Sequence, residues 1–194
     1  MSQQNANTAN AQQARTVAAV DRGKLDLKAL TLYAILLAAG FVLNMTVSKF
    51  FSGLTGGILS PEFIIAAFCL EALIIKPKVG QAAVLGLLAG VVIQITASAK
   101  GPDLIAEPVA AVVMALLVSA LGNGGAKKVL PLVGTFVVTC VSGLIYAVIF
   151  VCFVQRNPQL IMVMAPIVAI SGAFNAIIVQ ALYIPIKKAL KLAD

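Results

Sequence analysis

The stretch Lys28–Phe50, KALTLYAILLAAGFVLNMTVSKF, carries no charge between Lys28 and Lys49. An apolar run of this kind matches the about 20 residues of helix that cross a bilayer core. Residues 1–25, which precede it, are rich in Gln, Asn and Ala. Their low hydrophobicity predicts a disordered, polar cytoplasmic tail. That tail is too polar to be the apolar part of a signal peptide, and no clear cleavage site follows Leu30. The run therefore reads as a retained transmembrane helix.

The rest of the chain follows the same pattern. Of its 194 residues, 61% are hydrophobic and 11% charged, where a soluble domain carries about 25% charged residues. The mean hydropathy is +1.04. Breaks placed where Gly, Pro and charge cluster give six segments, at roughly 28–50, 59–75, 79–98, 103–122, 129–154 and 160–186. The expected fold class is an all-α membrane protein with six transmembrane helices, formed by residues 26–194 as one domain. The second segment, SPEFIIAAFCLEALII, is short and holds Glu62 and Glu71, which suits a tilted helix or one shielded within the bundle. The fourth and fifth segments are joined by GNGGAKK, read as a tight glycine turn.

Fourteen Lys and Arg face seven Asp and Glu. Eleven of the fourteen fall on one side of the predicted membrane: Arg15, Arg22, Lys24 and Lys28, then Lys76 and Lys78, Lys127 and Lys128, and finally Lys187, Lys188 and Lys191. Lys49, Lys100 and Arg156 fall on the other. The positive-inside bias predicts both termini in the cytoplasm. Basic residues beside apolar spans are topology signals, not a phosphate-binding patch, so nucleic acid is not an expected partner. The chain has no His, which excludes His-based catalysis, proton relays and His metal ligands. Cys69, Cys140 and Cys152 sit singly in apolar stretches, so neither a disulfide framework nor a metal site is indicated.

An ionisable group inside a span costs about 2.5–3.5 kcal/mol on insertion scales and usually faces a cavity or a partner. Asn44, Glu62, Gln94, Lys100, Asp103, Glu107 and Arg156 collect in the predicted outer third, with Asn175 deeper and Ser171 one turn above it. These are the candidate solute-binding residues. Six of them have a competing structural reading: helix-terminus stabilisation for Asp103 and, less favoured, for Glu107, snorkelling for Lys100 and Arg156, helix-to-helix bonding for Asn44 and Asn175. The inner half offers mainly Thr31, Glu71 and Gln180. No continuous polar file crosses the membrane, which argues against a channel or a proton pump. No pair of half-length inverted repeats is visible, which argues against a self-contained secondary transporter.

Ala34 and Ala38 lie four apart in the first span, on one helix face. Small residues at that spacing permit close helix approach, either within the bundle or to another protein. The third span, GQAAVLGLLAGVVIQ, has similar small residues.

With these motifs the chain resembles the S components of energy-coupling factor (ECF) transporters, their substrate-binding membrane subunits, over about residues 28–190. Ala34-x-x-x-Ala38 is similar to the family's docking motif for its coupling subunit. GGILSPEFIIAAF, IIKPKVGQAAVLGLLAGVV and GPDLIAEPVAAVV are similar to the tryptophan-type branch. Where that branch implies an acidic–basic pair, this chain has Ala106 and Glu107. The resemblance implies a six-helix, multi-pass protein of the prokaryotic cytoplasmic membrane that captures one solute from outside. The solute would be tryptophan-like or a vitamin such as riboflavin, thiamine, biotin, pantothenate, folate or cobalamin. The implied partners are a membrane coupling (T) subunit, two ATPase subunits, the solute and the lipid bilayer. The chain has no G-x-x-x-x-G-K-[ST] phosphate loop. The resemblance therefore implies no enzyme activity and no cofactor in this chain, with ATP used by the partner subunits. Two alternatives stay open at this level: a scaffold subunit without ligand, and an intramembrane enzyme with Glu62 and Glu107 as an acid/base pair.

Overall fold

The structure, a computed structural model, describes residues 23, 25–55, 61–97, 99–122 and 128–190. Every element among these residues is helical. There are six principal helices: α1 (Leu27–Leu54), α2 (Phe63–Ile75), α3 (Val79–Ile93), α4 (Asp103–Leu121), α5 (Leu130–Gln155) and α6 (Pro158–Ala189). The tail through Arg22 with Lys24, the glycine turn at 123–127 and Lys191 lie outside the described residues.

Local chemistry sets the helix ends. The Asp26 carboxylate caps α1 by accepting from the Ala29 amide at 2.8 Å. The helix then passes through a π-helical turn, Asn44–Ser48, before resuming to Leu54. Lys76 ends α2 in the left-handed region, φ 55°, because Pro77 disfavours a further helical residue before it. The Gln81 side chain caps α3 by accepting from the Lys78 amide at 2.8 Å. Pro131 opens α5, where its missing N–H has no helical partner to lose.

Four helices, α1, α4, α5 and α6, are long and apolar enough to cross a membrane. The other two are shorter: 13 residues in α2 and 15 in α3. At 1.5 Å per residue they extend about 20–22 Å against a hydrocarbon core of about 30 Å. The spans expected at 59–75 and 79–98 are thus longer than the helices found. After Ile93 the chain leaves the helix as a turn, with the Thr96 and Ala97 amides both donating to the Ile93 carbonyl.

The shortest helix is the central one. All thirteen residues of α2 are buried, Glu71 included. An all-round apolar helix has no solvent face to offer and belongs inside. It packs against each of the other five, which adjoin in sequence: α3 on α4, α4 on α5, α5 on α6. The outer helices instead present apolar side chains to their surroundings, with Ile35 61%, Val91 52% and Ile177 63% exposed. Apolar exposure on this scale suits lipid contact, and the helices fit a membrane protein.

The bundle has two distinct ends. At one, Gly23 donates its amide to the Ile75 carbonyl at 2.7 Å, and Leu25 and Leu190 pack on the same cluster of Ala29, Ile74 and Ile75. Leu73, Lys76, Val118, Tyr183 and Lys187 meet there around a void of about 20 Å³. Both ends of the described chain therefore lie at this lysine-rich end. The opposite end contains the cavity.

Candidate functional site

A cavity of about 300 Å³ opens at the end of the bundle away from both ends of the described chain. Four expected site residues line it: Asn44, Glu62, Asp103 and Glu107.

The π-helical turn in α1 directs Asn44 and Ser48 inward. Both are buried although their neighbours Met45 and Thr46 are exposed. An extra residue in one turn rotates the side chains that follow it, and such turns are common at functional sites. Asn44 then serves α2: its Oδ1 accepts from the Phe63 amide at 2.7 Å, and its Nδ2 donates to the Glu62 carboxylate. Phe63 is the first residue of α2, so Asn44 satisfies a helix-end donor from another helix. Asn44, expected in the outer third of the first span, is not at the end of its own helix. With α1 running on to Leu54, it lies about 15 Å below that end.

Asn175, fully buried on α6, donates Nδ2 to the Glu62 backbone carbonyl at 3.0 Å. It does not line the cavity, and it holds the Glu62 backbone from α6. Helix bonding is thus its observed role, as it is in part for Asn44.

Asp103 and Glu107 project from the first two turns of α4, and α3 determines how far in they sit. A Cβ on Gly86 would lie 2.5 Å from the Glu107 carbonyl oxygen, and one on Gly90 would lie 2.7 Å from that of Asp103. Only glycine permits this backbone contact. Pro102 occupies the N-cap position of α4 without a side-chain cap bond. Glu107 is 1% exposed; its Oε1 accepts from the Ser142 hydroxyl at 2.7 Å. Its Oε2, like Asp103 Oδ2 and Thr139 Oγ1, is buried without a hydrogen-bond partner.

The remaining expected residues fall elsewhere. Gln94 lies just past α3, where its Oε1 accepts from the Gly101 amide at 2.8 Å. Lys100 is exposed and donates to the Gln94 carbonyl. Gln94 and Lys100 therefore brace the α3–α4 turn. Arg156 is exposed in a left-handed turn, φ 52°, after α5. Neither Lys100 nor Arg156 lines the cavity.

Several lining residues were not among the expected ones: Ser48 and Lys49 on α1, and Thr139, Ser142 and Tyr146 on α5. Thr135, Thr139, Ser142 and Tyr146 recur at spacings of three and four, which is one face of a helix. That stripe was the available signal. Thr135, Thr139 and Ser142 are all buried.

No family model, curated protein or solved structure matches this chain. The site's chemistry has to be read from its own groups. Among the described residues no group of three or more acidic or cysteine side chains could hold a metal ion. Three carboxylates, Glu62, Asp103 and Glu107, line the one chamber. Ile65, Ile93, Ile167 and Val168 supply apolar wall. An apolar chamber with a few placed polar groups is the usual form of a small-molecule site.

A second surface lies on α1. Ala34 and Ala38 are exposed on the outside of the bundle, beside exposed Ile35 and Val42. They make no close internal helix contact of the kind that Gly86 and Gly90 make.

Proposed function

We propose that this chain is the solute-capture subunit of an ATP-driven importer of the energy-coupling factor type. In this reading all six helices reside in the prokaryotic cytoplasmic membrane, with both termini in the cytoplasm. The two short helices are sheltered by their longer neighbours. The observation that carries the proposal is the chamber of about 300 Å³ at the end opposite both ends of the described chain. At the lysine-rich end, Leu73, Lys76 and Tyr183 border a void of about 20 Å³, and a hollow of about 140 Å³ between α4 and α5 is lined by apolar residues and a glycine, with no charged or polar side chain. A one-ended chamber can receive a solute and hold it, but it provides no path across the bundle. Release to the other side then needs a partner that moves or reshapes the subunit.

The exposed Ala34–Ala38 face on α1 offers a place for that partner, a membrane coupling subunit carrying two ATPase subunits. The same helix bears Asn44, Ser48 and Lys49 at the chamber, so docking and solute site share one element. The chain itself would be no enzyme, and ATP would be used by the partner subunits. The solute class is a vitamin or a tryptophan-like molecule.

The test is a thermal-shift screen of the purified protein against vitamins and aromatic amino acids, followed by calorimetry of each hit. The expected result is a stabilising solute bound with a stoichiometry near one. Absence of any stabilising solute, together with stable partner binding, would favour a ligand-free scaffold instead. Turnover of a bound lipid that stops in Glu107→Gln would favour an enzyme.

A further inference from the structure

We propose that the chamber selects a small organic cation: an ammonium or protonated ring nitrogen lies against Glu107 and Asp103, and an apolar body lies against Ile65, Ile93 and Ile167. This inference rests on the solute-capture reading and names the charge class of the solute.

The first argument is the balance of charge in the lining. Glu62, Asp103 and Glu107 face one chamber with a single cation among its described lining residues, Lys49, which is exposed. The second is the state of their oxygens. The Glu62 carboxylate is already engaged by Asn44. Glu107 uses one oxygen for Ser142 and leaves Oε2 buried and unpartnered; Asp103 Oδ2 is in the same condition. Both residues are more than nine-tenths buried, at 1% and 7% exposure. A cation lying against Glu107 and Asp103 would hold them ionised, and ionised carboxylate oxygens only accept, so their partner has to donate. A buried acceptor left empty is costly, and the cost is removed by a charged donor more fully than by a neutral one.

The third argument separates an organic cation from a metal ion. The three carboxylates do not form a metal-holding group, and much of the remaining wall is aliphatic. A hard metal ion needs several oxygens at one point. An amine on an apolar body needs one or two acceptors and a dry wall, which is what Glu107, Asp103 and the three isoleucines provide. A solute carboxylate in the same place would meet like charge.

The experiment uses the full-length protein in detergent, dialysed at near-neutral pH against two samples. One is a small-molecule extract of the expression host. The other is an equimolar mixture of tryptamine, tryptophan, indole-3-propionate and indole, which share a ring and differ in charge. Retained compounds are identified by mass spectrometry. Retention of net-positive compounds is expected, with tryptamine ahead of its three analogues. Glu107→Gln keeps the side-chain shape and should weaken retention about 10- to 100-fold. Asp103→Asn should act in the same direction and decides the matter if Glu107→Gln misfolds, as judged by gel filtration. Lys49→Gln should tighten retention by removing a like charge. Retention of anionic or neutral compounds, unmoved by Glu107→Gln and Asp103→Asn, overturns the cation and leaves the capture reading standing. Retention of nothing from either sample overturns both.

Discussion

Helices α1 and α3 each carry small residues four apart, and the fold uses them in opposite ways. Gly86 and Gly90 on α3 touch the backbone of α4 at the turns that bear Asp103 and Glu107. Ala34 and Ala38 on α1 face outward. The spacing is the same, so spacing alone does not decide between internal packing and an outer surface. What decides is the neighbourhood. The inward face of α1 is marked by Tyr33, Gly40 and Asn44, all buried, and this turns Ala34 and Ala38 away from the core. On α3 the glycines lie on the buried side with Ala82, Leu85, Ala89 and Ile93.

The largest effect is expected where the α3 stripe is filled. In Gly86→Leu the new Cβ would stand 2.5 Å from the Glu107 carbonyl oxygen and 2.7 Å from the Pro108 Cα. Both are backbone atoms, so α4 has to move as a whole. Overpacking of this kind costs about 3 kcal/mol or more. The melting temperature should fall sharply, and solute retention should be lost because Asp103 and Glu107 travel with α4. An unchanged melting temperature in Gly86→Leu would break the contrast between the two stripes.

Asn44→Ala tests the inward face of α1. It removes the acceptor for the buried Phe63 amide and the donor to Glu62 together, at about 1–3 kcal/mol. Stability and solute retention should both drop, though less than in Gly86→Leu. Tyr33→Phe is milder. It deletes one buried bond between α1 and α3, Tyr33 hydroxyl to Leu85 carbonyl at 2.6 Å, for about 1 kcal/mol. Thermal denaturation should show the loss while retention of solute stays near that of the parent. A Tyr33→Phe effect larger than that of Asn44→Ala would mean that the packing of α1, and not its polar contacts, governs the chamber.

Much of the fold was legible in residue chemistry, because apolar runs and their breaks are one-dimensional signals. Six helical segments follow from them, and the start of α4 at Asp103 falls where Pro102 predicts it. The ends of α1 and α3 were misjudged for a physical reason. Lys49 reads as the end of an apolar run, but it projects from a helix that continues to Leu54. Gln94 reads as a polar residue within a span, but it turns to brace Gly101. At the site, Glu62, Asp103 and Glu107 stood out because a carboxylate in an apolar chain is conspicuous. Thr139 and Ser142 did not, since a hydroxyl costs little to place in a helix and is common there. Only their shared face with Thr135 and Tyr146 set them apart. The pairing of Glu107 with Ser142, 35 residues away, depends on the tertiary fold.

The smallest effect on the isolated protein is expected at Ala38, and its smallness is what makes the test informative. Ala38 lies on the exposed side of α1, so a larger side chain there has open surroundings and displaces no neighbour of the kind Gly86 has. Ala38→Trp should leave the melting temperature and solute retention near those of the parent protein, and Ala34→Trp should behave alike. In cells that express the whole importer the outcome reverses if this face receives a coupling subunit. A bulky ring holds two helices apart where small residues would let them touch, so uptake should be lost while binding persists. Loss of binding in the purified Trp variants would place Ala34 and Ala38 inside the bundle and remove the distinction between the two stripes. Normal uptake by both variants would leave the distinction intact but move the docking surface elsewhere.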